Sequence, residues 1–284
     1  MKVQKILSGF CVLIFAFFMF LTVACFAGKP EKQPDDSGVK VTFFDVGKGD
    51  AILVETAHHA VLIDSGYDDT KEIILDYMEK QEISSLDYLV ITHFDKDHVG
   101  GADWILRRVE TRSVLQPDYE SDSAQYREYV EAAREREVPV ISVTNTMELS
   151  LDGVDFLVYP PQKKSYEEED NDFSLVIRMA CGKKSFLFAA DCERERLWEL
   201  LEQEEFPLSH DVLKVPHHGR KEKNSLEFLE AVRPDVAVIT SSKEKPADDE
   251  ICRMLERLGT EVYFTENGTV TCLCDGKGLR VVQG

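Results

Sequence analysis

The chain has 284 residues, 43% of them hydrophobic, enough to bury a sizeable core as one large domain or two small ones, and this excludes a disordered chain. Acidic residues outnumber basic ones 53 to 33, giving a formal net charge of -20. A surface of that sign repels nucleic acid and anionic membrane and argues against long DNA, so any DNA substrate must overcome the repulsion through metals and local basic residues.

Lys2 and Lys5 precede an uncharged apolar run from Phe10 to Ala24, which reads as an export signal over residues 1–25. Leu21-Thr22-Val23-Ala24-Cys25 resembles a bacterial lipobox, in which Cys25 takes a lipid; cleavage after Ala27 is the ordinary alternative. The stretch Ile6 to Ala27 is also nearly long enough to span a bilayer, so an uncleaved anchor is the third reading. Residues 26–38, with two prolines and several charges, then form a polar tether. The expected location is the extracellular face of the membrane, or secretion, with membrane contact through the N-terminal lipid or anchor.

From residue 39 the chain reads as strands with helices laid between them. Val39 to Phe44, Ala51 to Glu55 and Ala60 to Ile63 are short β-rich runs, expected to be antiparallel. A helix over Lys71 to Lys80, a strand over Leu86 to Thr92 and a helix over Gly101 to Val109 follow from their apolar spacing. The middle repeats this, with a helix around Tyr126 to Ala133 and strands near Val138 to Val143 and Val154 to Tyr159. Pro160 to Asp172, with its acidic run, is expected to be a solvated loop. Strands at Phe173 to Met179 and Ser185 to Ala189, a helix around Leu197 to Leu201 and a strand at Val212 to Val215 come next. Asn224 with Glu227 fits a capped helix start, Asp235 to Ile239 a strand, and Ile251 to Leu258 a last helix. Glu261 to Val282 gives closing strands with turns at Asn267-Gly268 and Asp275-Gly276. Cys181, Cys192, Cys252, Cys272 and Cys274 lack CxxC spacing and make no zinc-ribbon pattern; small buried residues are the simplest reading.

Thr92-His93-Phe94-Asp95-Lys96-Asp97-His98-Val99-Gly100-Gly101 concentrates metal-ligand types between a buried strand and a glycine-led helix. A lone His or Asp there would more often cap a helix. Four within six residues can instead supply ligands to two ions at once. Asp191 ends the apolar run Ser185 to Ala190, where an unpaired carboxylate is costly unless a cation or hydrogen-bond donors satisfy it. His217 and His218 are adjacent, so an extended chain would point them to opposite sides and bring only one to a given ion. His58 and His59 match no motif and are expected at an exposed turn.

The first of these segments resembles the HxHxDH motif of the metallo-β-lactamase superfamily, with Asp95 where the second His usually stands. Phe44-Asp45-Val46-Gly47-Lys48-Gly49-Asp50-Ala51 and Ile63-Asp64-Ser65-Gly66 before it, and Phe188-Ala189-Ala190-Asp191 and Leu213-Lys214-Val215-Pro216-His217-His218-Gly219 after it, occur in order along the chain. The set is similar to the soluble domain of the ComEC competence protein family, from about residue 39 to the end. The resemblance implies an α/β fold, a four-layer αββα sandwich over residues 39–284, and a binuclear metal-dependent hydrolase. It implies that His93 and Asp95 hold one divalent ion, that Asp97, His98 and His217 hold the second, and that Asp191 bridges both, with Asp64 bracing the His93 loop.

Asp97, besides ligating, is a candidate to take a proton, His218 to orient substrate, and Lys214 to face a phosphate, although a surface lysine is the commoner case. Asp95 in place of imidazole favours manganese or iron, with zinc still open. The expected substrate is a phosphoester, in a cell-wall polymer, a nucleotide or nucleic acid. An amide or lactam hydrolase and a metal-binding lipoprotein with little catalysis are the competing readings. Three departures stand out. The superfamily's third His is replaced by Asp170-Asn171-Asp172, Arg220 follows Gly219 where Ser is usual, and Lys245-Pro246 stands for a His-Pro. An oxygen ligand from Asn171 or Asp172 is the expected substitute for the third His.

Overall fold

Runs of β-branched and aromatic residues that are apolar at every position form strands buried on both faces. Such runs make up much of the computed structural model, which describes residues 38–167, 169–203 and 206–284. The proposed export signal and nearly all of the tether lie outside the described residues. Among the described residues no helix is long and apolar enough to cross a membrane.

Strands β1 (Val39–Phe43), β2 (Ile52–Glu55) and β3 (Ala60–Ile63) form an antiparallel meander. Helix α1 (Lys71–Lys80) leads to β4 (Ser85–Val90), which runs parallel to β3. The short α2 (Lys96–Val99) and α3 (Ala102–Arg108) cross to β5 (Glu110–Pro117), and α4 (Ala124–Glu135) crosses to β6 (Val140–Val143), both parallel additions. With β14 (Val270–Cys274) and β15 (Leu279–Gln283) these strands make an eight-stranded sheet.

The second sheet repeats the plan. β7 (Met147–Leu151), β8 (Val154–Tyr159), β9 (Val176–Cys181) and β10 (Lys184–Phe188) form a meander, with α5 (Glu169–Asp172) inserted before β9. Crossovers through α6 (Arg194–Glu202), α7 (Ser225–Val232) and α8 (Asp249–Leu258) then add β11 (Val212–Lys214), β12 (Val236–Ile239) and β13 (Glu261–Phe264) in parallel. Period-two alternation sends Val41, Phe43, Ile177 and Phe188 into a core between the sheets. Leu53, Leu62 and Leu89 face α1, α3 and α4, while Leu187, Leu213 and Ala237 face α6, α7 and α8. Helices, sheet, sheet and helices make the αββα sandwich.

Three local readings are corrected. β5 and β7 have no counterpart in the sequence reading: β5 begins with the polar Glu110-Thr111-Arg112-Ser113, and only its second half, Val114 to Pro117, is continuously buried. The acidic stretch 160–172 is not simply solvated, because it buries Tyr166 and Asp172. Asp172 Oδ1 accepts from the backbone N–H of Glu193 at 2.8 Å and of Arg196 at 3.2 Å, satisfying donors at the start of α6. Asn224 precedes α7 without capping it; its Nδ2 donates to Arg194 O at 2.9 Å.

Candidate metal centre

Open α/β sheets place their binding crevices beyond the carboxyl ends of the parallel strands. Here Asp64 follows β3, Thr92 and His93 follow β4, Asp191 follows β10, His217 and His218 follow β11, and Thr240 follows β12. Four of the residues in these turns have left-handed backbone without being glycine: Asp64 (φ 56), Ala190 (φ 47), His217 (φ 46) and His218 (φ 54). Such conformations are costly for L-residues and persist where the surrounding structure fixes them, commonly at functional sites. Close approach requires glycine behind the ligand loop: a Cβ on Gly100 would meet Gly66 O at 2.9 Å, and one on Gly101 would meet Ser65 O at 2.5 Å.

His93, His98 and Asp191 bring ligand atoms within 4.8 Å of one another, and so do Asp97, His98 and His218. Asp191 joins the two groups. Its Oδ1 is 3.4 Å from His98 Nε2, and its Oδ2 is 2.9 Å from His218 Nε2. All five side chains are buried.

Proton accounting fixes the tautomers. His98 Nδ1 is 2.8 Å from Asp64 Oδ2, which as a carboxylate can only accept. Thr92 Oγ1 gives its one hydrogen to Asp64 Oδ2, so it accepts from His93 Nδ1 at 3.0 Å. Thr240 Oγ1 likewise donates to Asp50 Oδ1 and accepts from His218 Nδ1 at 2.9 Å. Each imidazole therefore carries its hydrogen on Nδ1 and aims a lone pair from Nε2. None of the three Nε2 atoms, all buried, has a hydrogen-bond partner. Three buried lone pairs converging on a carboxylate fit divalent cations, with outer hydrogen bonds orienting each ring.

For His98 the electrostatics add a proton when no cation is bound: burial would lower its pKa, but Asp191 and Asp64 outweigh that and raise it well above the usual histidine range, so Nε2 then holds a hydrogen that an incoming ion would displace. Burial would raise Asp191 and Asp97; the surrounding imidazoles, with Lys214 beside Asp191, keep both carboxylates ionised. His93 is driven the other way, first by burial and then by His98, and stays neutral.

Not every expected residue joins this group. Asp95 is half-exposed and its carboxylate belongs to neither triad; burial and Asp97 push its pKa up. The two adjacent histidines exchange the places expected for them. Because both residues are left-handed rather than extended, His218 turns into the centre. His217 instead puts Nδ1 3.0 Å from Glu193 Oε1.

Lys214 is neither a surface lysine nor free to meet a phosphate. It is buried, and its Nζ contacts Asp50 Oδ2 at 2.5 Å, Ala190 O at 2.9 Å and Asp191 Oδ1 at 3.2 Å, one acceptor for each ammonium hydrogen. In the segment that replaces the third His, Asp172 is occupied by the start of α6 and Asn171 Nδ2 donates to Glu193 Oε1 at 2.9 Å.

Asp50, Thr240, Lys48, Glu193 and Glu222 received no role from sequence. Only Asp50 and Lys48 sat in a quoted motif, and that motif was the available signal. Asp50 joins Thr240, Lys214 and the His218 ring, while Lys48 Nζ lies 3.3 Å from Asp97 Oδ2 at the edge of the site.

The chain is 26% identical over 283 residues to ComE operon protein 3 of Bacillus subtilis, covering 92% of this chain and 34% of that protein. It is 29% identical over 259 residues to Recombination protein 2 of Haemophilus influenzae, covering 88% and 30%. The chain thus spans about a third of the length of these curated relatives. Among solved structures, Igni18, a metallo hydrolase from Ignicoccus hospitalis, superposes with a TM-score of 0.55 at 22% identity, over 82% of this chain and 98% of that one. A family profile described as the metallo-beta-lactamase superfamily matches residues 44–242, and the protein belongs to that superfamily.

Proposed function

We propose that this protein is a binuclear metal-dependent phosphoesterase, with phosphodiesters as its first substrate class, acting outside the cell membrane. The observation that carries the reading is the convergence of the unpartnered Nε2 atoms of His93, His98 and His218 on Asp191. In the proposed ligand set His93 and Asp191 serve one ion, with Asp95 beside them, and Asp97, His98, His218 and Asp191 serve the other. Two divalent ions, manganese or zinc, would activate water and neutralise charge developing on the phosphate oxygens.

The chain's own residues do the rest. Asp191 lies between the two groups, with Oδ1 3.4 Å from His98 Nε2 and Oδ2 2.9 Å from His218 Nε2, the position a shared ligand needs. Lys214, itself held by Asp50, fixes that carboxylate, and Asp97 is the most exposed side chain among the second ion's proposed ligands. Lys48, at the edge, supplies a positive charge against an otherwise acidic surface. Burial and the Asp97 carboxylate push the nearby Tyr67 phenol up to about 12, so it remains a hydrogen-bond donor at neutral pH. Few local cations on a strongly acidic protein favour a compact phosphoester, such as a nucleotide, a short nucleic acid or a cell-wall phosphodiester, over long DNA. The apolar run before Cys25 supports attachment at the outer face through a lipid or an anchor.

The test is metal analysis of the full chain together with activity on a panel of phosphodiesters, phosphomonoesters, lactams and thioesters, with and without chelator. Chelator-sensitive phosphodiester cleavage is expected. Metal-replete protein that leaves every phosphoester intact while opening a lactam or thioester would overturn the substrate class, and metal binding with no turnover at all would overturn the enzymatic reading.

A further inference from the structure

Beside the candidate pair lies a second group of ligand-type side chains. Glu193, His217 and Glu222 bring ligand atoms within 4.8 Å of one another. His217 is buried, with a side chain 6% exposed, and its Nδ1 approaches Glu193 Oε1 at 3.0 Å without the alignment of a hydrogen bond. That Nδ1 has no hydrogen-bond partner. The neighbouring Asn171 side chain carries a second orphan. Asn171 donates through Nδ2 to Glu193 Oε1, while its Oδ1 is buried without a partner. A half-turn of the amide would exchange the two atoms and put an oxygen beside Glu193.

We propose that Glu193, His217 and Glu222 form a third divalent-cation site flanking the pair. The donor set is one imidazole nitrogen and two carboxylates, with the Asn171 amide oxygen available as a fourth ligand. An all-oxygen set would suit magnesium or calcium, whereas imidazole with carboxylates suits a transition ion such as zinc or manganese. The proton accounting is consistent. With Nδ1 on the outer ion, the neutral ring carries its hydrogen on Nε2, which faces Asp191 Oδ2 from 3.9 Å. One imidazole thereby connects the outer site to the carboxylate shared by the inner pair, and it is barred from ligating that pair itself. Arg194 and Arg220 are the cationic groups that otherwise offset the two acids.

The inference goes beyond the phosphoesterase reading, and the two can fail separately. The full chain would be stripped with chelator, reloaded with zinc, and examined by metal quantitation and by anomalous diffraction at the zinc edge. Three zinc ions per chain are expected, one of them between Glu193, His217 and Glu222. Glu222→Gln, a near-isosteric change at a half-exposed position, should remove one equivalent and leave the other two, with an unchanged circular dichroism spectrum. Glu193→Gln serves as the second variant and should show the same loss of one equivalent. Absence of a peak at the outer position in wild type, or a zinc count unaltered by both substitutions, would overturn the proposal and mean that Arg194 and Arg220 suffice. Loss of the peaks at Asp191 with the outer peak retained would remove the inner pair and leave this site standing.

Discussion

His218 Nε2 lies 2.9 Å from Asp191 Oδ2, whereas Nε2 of the preceding His217 is 3.9 Å from the same oxygen. The two rings therefore have different tasks, and substitution should separate them. His218→Ala is expected to remove an ion of the inner pair and to lower turnover by more than about 100-fold, since loss of a direct ligand exceeds the usual loss from an outer one. His217→Ala should keep both inner ions. Anomalous diffraction at the zinc edge, which locates each ion, checks this, and equal loss of inner metal from both would refute the distinction.

Lys214 is a buried ammonium between two carboxylates. Lys214→Met removes the cation and leaves Asp50 and Asp191 uncompensated, a change that costs about 3–5 kcal/mol when one partner of a buried pair is deleted. The metal-free variant should therefore unfold at a clearly lower temperature than metal-free wild type. Added zinc or manganese should recover part of the difference, because a bound ion offsets the same charges. Calorimetry with and without metal measures both effects, and a variant as stable as wild type without metal would contradict the role.

Asp64 sets the His98 tautomer. Asp64→Asn keeps an oxygen for the Thr92 N–H, and Asn tolerates left-handed backbone, so the fold should survive. With its NH2 directed at His98 Nδ1, the amide would drive the ring hydrogen onto Nε2, the atom aimed at the ion. Metal affinity should fall by roughly 10–100-fold, as for loss of a carboxylate behind a ligating His. Competition titration against a chelating dye gives the number, and unchanged affinity would show that Asp64 only braces the loop.

Asp172 gives a pH signature. Burial pushes its carboxyl up to about 6, above the ordinary 3.8, although the backbone N–H groups of Glu193 and Arg196 act to lower it. The folded state therefore holds this proton more tightly than the unfolded state. Its contribution to stability is fully present below about pH 4, is lost as pH rises towards 6, and is flat beyond; the whole effect is at most about 3 kcal/mol. Asp172→Asn keeps an acceptor for the helix start and should remove this slope. Denaturant melts of both proteins between pH 4 and 7 give the comparison, and identical pH profiles would count against it.

Much of the centre was legible because residue type and order suffice for it. Thr92 to Gly101, Asp64 and Asp191 stand at strand ends that apolar runs announce in advance. The choice between His217 and His218 failed for a backbone reason: two consecutive left-handed residues invert the alternation that an extended chain would impose, and no side-chain pattern signals this. Glu193 and Glu222 were hidden because nothing local marks them; they meet His217 only when the turns after β10 and β11 pack together. Asp172 was obscured by the acidic run around it, since a carboxylate that satisfies a helix start reads in sequence like one that faces water. β5 escaped because its first half is polar, although it lies between β4 and β6.

The internal ammonium of Lys214 has a consequence for the order of events in the life of the molecule. Four buried carboxylates gathered together, Asp50, Asp64, Asp97 and Asp191, would be expected to resist collapse without a counter-charge. Here a covalently tethered positive charge is already inside, bound to Asp50, Asp191 and a backbone carbonyl. The chain can close around its own counterion first and admit diffusible ions afterwards, as a finished vessel is filled. On the proposed metal reading, loading then follows folding, and the ions around the folded protein decide which metal enters.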